Sequence, residues 1–246
     1  MLKRLLMTSY QHQVIAITHS PYKEKFAVPR QPGLVASAKA ELEMLPPYDD
    51  VNAFNGLEAF SHLWLVFEFH KNTPSSDVDN TWSPTVRPPR LGGNKRIGIF
   101  ATRSPNRPNN IGLSLVEYHG VIQQDGKIFL SLSSIDLVDG TPIIDIKPYI
   151  PYADSIPNAK AGFAQTSPEK VLAVDFSQDA VSQLQSLPSH YSGLQLFIKE
   201  VLQQDPRPAY KKSKADNKIY GMLLSDFNIK WQCTASTITV LSVDYV

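Results

Sequence analysis

The feature that most constrains this chain is its punctuation. Apolar runs are short, rich in β-branched and aromatic residues, and broken every few residues by turn-forming pairs. "SHLWLVFEFH" (Ser61 to His70) is nearly continuous in apolar character and reads as a central strand. Leu34 to Leu45 alternates apolar and polar residues, the pattern of a half-buried strand. Gln11 to Tyr22 reads as a strand ending in a Ser-Pro turn. "RIGIFATR" and "IGLSLVEYHGVIQQ" read as strands either side of a polar loop. Asp125-Gly126 predicts a tight hairpin into "KIFLSLSSIDLV", and Asp139-Gly140 a second turn into "TPIIDIKPYIPYAD". Nineteen prolines argue against a helical bundle. Many short strands joined by turns imply a barrel or a sandwich.

The texture changes near residue 155. "DSIPNAKAGFAQTSPEK" reads as a linker, "KVLAVDF" as a strand, and "SQDAVSQLQSL" as a Ser-capped helix. "SGLQLFIKEVLQQ" places Leu194, Phe197, Ile198, Val201 and Leu202 on one helical face. Three strand-like runs follow from Ile219 to Val246. The division expected is a mainly β unit over 1–155 and a small α+β unit over 156–246.

Several chemistries lack their motifs. There is no GxxxxGK[ST], and the glycines of "LGGNKRIG" do not have GxGxxG spacing. The six histidines form no HExxH pair, there is no CxxC, and no GxSxG elbow appears, so no metal site is expected. Cys233 is the only cysteine, which points to a reducing cytoplasm. The start fails as a signal peptide, and no apolar run approaches the ~20 residues of a membrane span. A soluble protein is expected.

Net charge is +1, yet from Asn80 to Val116 there is no Asp or Glu, while Arg87, Arg90, Lys95, Arg96, Arg103 and Arg107 all fall there. This local basic field holds "RIGIFATRSPNRPNNIGLS", where arginines can grip a carboxylate or phosphate and asparagines can pair with a base edge. Three further polar turns stand out. In "PYKEKFAVPRQPG", Pro29 and Pro32 stiffen the backbone around Arg30 and Gln31, lowering the entropy lost on binding. "SSIDLVDGTPIIDIKPY" holds Asp136, Asp139 and Asp145, of which Asp139 reads as a turn residue. "QDPRPAYKK" sets Arg207 between two prolines, with Tyr210 and Lys211 beside it, a stacking aromatic among cations that suits RNA.

Taken together, "PYKEKFAVPRQPGL", "GLEAFSHLWLVFEFH", "TVRPPRLGGNKRIGIFATRSPNRPNNIGLSLVE", "SIDLVDGTPIIDIKPYIPYAD" and "QDPRPAYKK" closely resemble the TsaA/TrmO-like family, from Ile15 to about Trp231. The resemblance implies a non-Rossmann β-barrel methyltransferase domain with a small C-terminal α+β domain. It also implies a homodimer with S-adenosylmethionine near the subunit boundary. The implied reaction is methylation of N6 of threonylcarbamoyladenosine, next to the anticodon of threonine tRNA; the partner is tRNA, not DNA or a membrane. Carried over by position, the cofactor contacts are Pro29, Arg30, Gln31, His70, Lys71, Arg103, Leu113, Ser134, Ile135, Asp136 and Leu137. Arg103 would suit the cofactor carboxylate, and Asp136 a ribose hydroxyl or the ammonium. Arg107, Asp205, Arg207, Tyr210 and Lys211 would meet tRNA, together with Arg87, Arg90 and Arg96 on its phosphates; Arg207 would read the threonyl carboxylate. Asp136, Asp145 and Tyr210 are the candidate bases. The alternatives are an RNA-binding regulator that keeps the cofactor fold, and a methyltransferase for another substrate. Whether the polar loop over 72–81 closes on substrate is not written in the sequence.

Overall fold

The structure, a computed structural model, describes residues 10–72, 83–168, 172–207, 216–234 and 237–246. It is mainly β. Strands β1 (Ala16–His19), β2 (Lys39–Met44) and β3 (His62–Glu68) sit inside the predicted runs but are shorter. Residues 34–38 turn instead of extending, and β2 begins only where alternation becomes strict. "RIGIFATR" is a correction. Only β4 (Thr85–Val86) and β5 (Ile97–Gly98) pair there, and Ile99–Ala101 coils into a 3-10 turn. Gly98 and the prolines at 84, 88 and 89 deprive that stretch of a long ladder. β6 (Ile111–Gln124) matches its predicted run, and Asp125-Gly126 turns it into β7 (Lys127–Ser133). β8 (Pro142–Pro148) and a short helix, α1 (Pro151–Asp154), follow.

Six of these strands pair in the order β1-β2-β7-β6-β3-β8, and β8 returns to β1 through Ile17 and Pro142. Every pairing is antiparallel. Strand direction therefore alternates around the circuit. The C-terminal ends of β1, β3 and β7 and the N-terminal ends of β2, β6 and β8 all open at one rim. The alternation in β3 buries Leu63, Leu65 and Phe67, which pack with Leu42, Val116, Leu130, Leu132 and Ile143. Removing such side chains from water supplies most of the drive for closure, at ~25 cal/mol per Å².

The C-terminal unit is a four-stranded sheet, β10-β11-β12-β9. β9 (Ala173–Phe176) runs parallel to β12 (Thr237–Tyr245), so the chain must cross over. α2 (Gln178–Gln185) and α3 (Leu194–Gln203) lie in that crossover, with β10 (Asp216–Leu224) and β11 (Phe227–Cys233) after them. Ser177 caps α2 by accepting from the Ala180 N–H. The predicted face of α3, from Leu194 to Leu202, is buried with Trp231 and Phe227. Among the described residues no helix is long and apolar enough to cross a membrane.

The two sheets meet along residues 21–37. Tyr22 is fully buried, with its ring 5.6 Å from that of Phe197 on α3. Ser225 N–H donates to Pro21 O at 2.7 Å, and Leu223 N–H to Glu24 Oε1 at 3.1 Å.

Candidate active site

Because strand direction alternates, four separate motifs converge at the one rim. The loop after β1 carries Pro29, Arg30 and Gln31. The end of β3 carries His70 and Lys71. The loop into β6 carries Arg103, the first residues of β6 carry Leu113, and the loop after β7 carries Ser134 to Leu137. Direct bonds tie these loops to one another. Arg103 donates to Gln31 Oε1. Gly33 N–H donates to Ser134 O at 3.0 Å. Asn72 Nδ2 donates to Pro105 O at 2.9 Å, and Phe69 N–H to Asn110 O at 2.8 Å. Lys25 bridges to Lys71 O and to Asn72 Oδ1.

Asp136 is the most perturbed carboxyl at this rim. Burial raises it to about 6, against the opposing pull of the Ser114 hydroxyl and the Arg103 charge. Ser114 Oγ donates to Asp136 Oδ1. Ser114 is fully buried, and sequence reasoning missed it. The signal was there: in "IGLSLVEY" it occupies the inward phase shared by Gly112, Val116 and Tyr118, and a hydroxyl at an inward position needs a polar partner. Ser134 has φ 61° and donates through Oγ to Glu117 Oε1 at 3.1 Å. Ile135 and Leu137 are buried beside it. Leu113 is 55% exposed and Phe100 71%, so the rim also has apolar surface. Desolvation, then the charges of Lys71 and Lys25, push His70 below its usual range, leaving a neutral imidazole at neutral pH. Behind Pro29 and Arg30 a cavity of about 510 Å³ reaches α3, with Val201, Gln204 and Asp205 on its far wall.

Other candidates lie elsewhere or are already engaged. Asp145 sits within β8, opposite Val66 of β3, and pairs with Lys147 at 2.7 Å. Asp139 holds turns together: it accepts from Ser20 N–H at 2.8 Å and from Lys23 at 2.9 Å. Arg107 is spent within its own loop, donating to Thr102 O at 2.8 Å and lying over the Phe100 ring. Arg90 donates to Thr166 and Arg96 to Thr85 Oγ1, while both remain exposed. Arg207 requires a correction. It is 1% exposed and grips Asp205, itself buried, through Nε at 2.8 Å and Nη2 at 3.0 Å. A guanidinium neutralised inside the fold does not present itself to a tRNA carboxylate. Tyr210, Lys211 and residues 73–81 lie outside the described residues.

The donor set fits S-adenosylmethionine. Arg103 offers a cation for a carboxylate. Asp136 offers acceptor lone pairs for hydroxyl or ammonium protons. Leu113 offers an apolar face. The arrangement can hold a zwitterion with a flat ring and keep one carboxylate near neutrality.

Comparison with known proteins identifies the family. Residues 17–155 match the tRNA-methyltransferase O N-terminal domain, and residues 169–246 match the TrmO C-terminal domain. The chain is 52% identical over 238 residues to the tRNA (adenine(37)-N6)-methyltransferase of Escherichia coli K12, covering 97% of this chain and 99% of that protein. It is 44% identical to a putative S-adenosylmethionine-dependent methyltransferase of Pseudomonas aeruginosa, over 88% of this chain and 90% of that one. The crystal structure of TrmO from P. aeruginosa superposes with a TM-score of 0.77 at 36% identity, covering 99% of this chain and all of that one.

Proposed function

The chain belongs to the tRNA-methyltransferase O family, and from that premise we propose that it transfers a methyl group from S-adenosylmethionine to N6 of threonylcarbamoyladenosine 37 in threonine tRNA. Near-complete coverage of a tRNA (adenine(37)-N6)-methyltransferase supports the reaction class. The observation that carries the site is the convergence of four motif loops at one rim, tied by the Arg103–Gln31 and Gly33–Ser134 bonds. In this reading the closed six-stranded sheet is a barrel-type methyltransferase unit spanning 1–155, and residues 156–246 serve tRNA contact.

S-adenosylmethionine supplies an electrophilic methyl group; the protein supplies position and a proton acceptor. Arg103 holds the cofactor carboxylate, with Gln31 fixing the guanidinium. Pro29 and Arg30 set the loop that faces it, Leu113 gives an apolar wall, and buried Ile135 and Leu137 anchor the Ser134–Asp136 turn from behind. Neutral His70 can lie close to a positively charged ligand without repelling it. Ser114 keeps Asp136 in place. Asp136, ionised at pH 7 but close to its titration point, would accept the proton that N6 loses in exchange for the methyl group, whose bond to the cofactor sulfur breaks to leave a neutral thioether. A base with pKa near the working pH contributes about 10²–10⁴-fold. Holding both reactants in line contributes more, on the order of 7–11 kcal/mol at best. Arg87, Arg90 and Arg96, exposed on the basic stretch, suit tRNA phosphates. A second copy of the chain would cover Phe100 and Leu113, which suits a cytoplasmic homodimer.

Mass spectrometry of nucleosides tests this. Threonine tRNA bearing threonylcarbamoyladenosine, incubated with the protein and S-adenosylmethionine, should gain one methyl on that nucleoside. Unmodified tRNA should gain none. Binding of tRNA without any gain would instead favour a regulator that keeps the cofactor fold.

A further inference from the structure

We propose that Glu200, on α3 of the C-terminal unit, is a positioning residue for the cofactor loop of the N-terminal unit. Its Oε2 accepts two hydrogen bonds from one residue, the Ser37 N–H at 2.9 Å and the Ser37 Oγ–H at 2.7 Å. One turn further on, at the C-cap of α3, Gln204 Nε2 donates to Leu34 O at 3.4 Å. The segment so held, 34–37, follows directly on Pro29, Arg30, Gln31 and Gly33.

The opposite side of that loop is fastened to the site itself, Gly33 N–H to Ser134 O and Gln31 to Arg103. Between these two sets of ties the loop faces the 510 Å³ cavity behind Pro29 and Arg30. Ala27, Val35 and Ala38 anchor this stretch in the core, while the more exposed turn at Arg30 and Gln31 is held by these hydrogen bonds. Two hydrogen bonds from one residue to a single carboxylate oxygen fix both distance and direction. Glu200 thus reaches across the boundary between the units and sets where Arg30 and Gln31 stand when S-adenosylmethionine arrives. This rests on the cofactor assignment above.

The test uses the full-length protein with no tRNA present. Glu200→Ala should weaken S-adenosylmethionine binding about tenfold by equilibrium dialysis. In the cofactor-free protein it should speed amide hydrogen exchange at 33–37. Glu200→Gln, whose amide oxygen can still accept from Ser37, should stay within about threefold of the original affinity. Ser37→Ala should weaken binding less than Glu200→Ala and add nothing to it in the double variant. A general structural role would lower thermal stability in Glu200→Ala without these two linked effects. Unchanged affinity and exchange in Glu200→Ala, or strictly additive losses with Ser37→Ala, would overturn the proposal. Should Glu200→Ala fail to fold, Glu200→Gln and Ser37→Ala carry the same comparison. Original protein that fails to bind S-adenosylmethionine would overturn the cofactor reading and this one with it, whereas normal binding with an indifferent Glu200 would overturn this one alone.

Discussion

In the proposed mechanism Asp136 sets stability against function within a single side chain. Its carboxyl is raised by burial from 3.8 to about 6. The folded chain therefore binds this proton more tightly than the unfolded chain does. The stability linked to it is fully present below about pH 4 and is lost as pH rises through about 6. At pH 7 the buried charge is a cost. Asp136→Asn keeps an oxygen for Ser114 and removes that charge, so the variant should be more stable than the original at pH 7, on the order of 1–2 kcal/mol. The difference should shrink at pH 4, as thermal unfolding at the two pH values would read. Methyl transfer should collapse in the same variant. In the original protein, single-turnover rates should fall as pH drops through about 6, because the base becomes protonated. Arg103 gives a second prediction at this scale. Arg103→Ala frees Gln31 and removes the cation proposed for the cofactor carboxylate, and S-adenosylmethionine affinity should fall tenfold or more while the unfolding temperature hardly moves.

Among the elements, β3 and β6 show how closely a site can be tied to packing. Gly112 lies directly across from Phe67, and the ring covers it: a Cβ at 112 would stand 2.2 to 2.7 Å from three ring atoms. Phe67 in turn meets Phe69 edge-on at 4.8 Å. Gly112→Ala must push the ring off this seat, costing about 1–3 kcal/mol. Urea unfolding should report that loss. Cofactor affinity should fall with it, since Leu113 and Ser114 are the next two residues. Turn chemistry and alternation made most of this element level legible beforehand. β6 was read to its ends, its hairpin was read from Asp125-Gly126, and the buried face of α3 was read from its spacing. "RIGIFATR" was misread because apolar content alone does not make a ladder; its partner strand is two residues long.

At the scale of the molecule, the buried pair Asp205–Arg207 decides what the "DPR" stretch does in this fold. Arg207→Ala would leave Asp205, 6% exposed, without the guanidinium that grips it. Breaking a buried pair from one side costs about 3–5 kcal/mol. The C-terminal unit should lose a large part of its stability in calorimetry, and any loss of tRNA methylation should follow that unfolding rather than precede it. A variant that stays fully stable yet fails on tRNA would restore Arg207 as a direct contact. What the sequence by itself determined was local: strand periodicity, turn residues, the Ser177 cap, the acid-free basic stretch, and motif loops rigid and polar enough to bind. Those depend on neighbours a few residues apart. Only the tertiary structure decided which loops share a rim, because that follows from the antiparallel order of the closed circuit. It also decided which charges are spent. Arg107, Arg207 and Asp145 look alike as free charges in a sequence. Each found its partner within five residues, but only Arg207 is buried with its partner, and nothing in the spacing separates it from the other two. Ser114 and Glu200 became visible for the complementary reason: their partners stand 22 and 163 residues away, a separation no local pattern encodes.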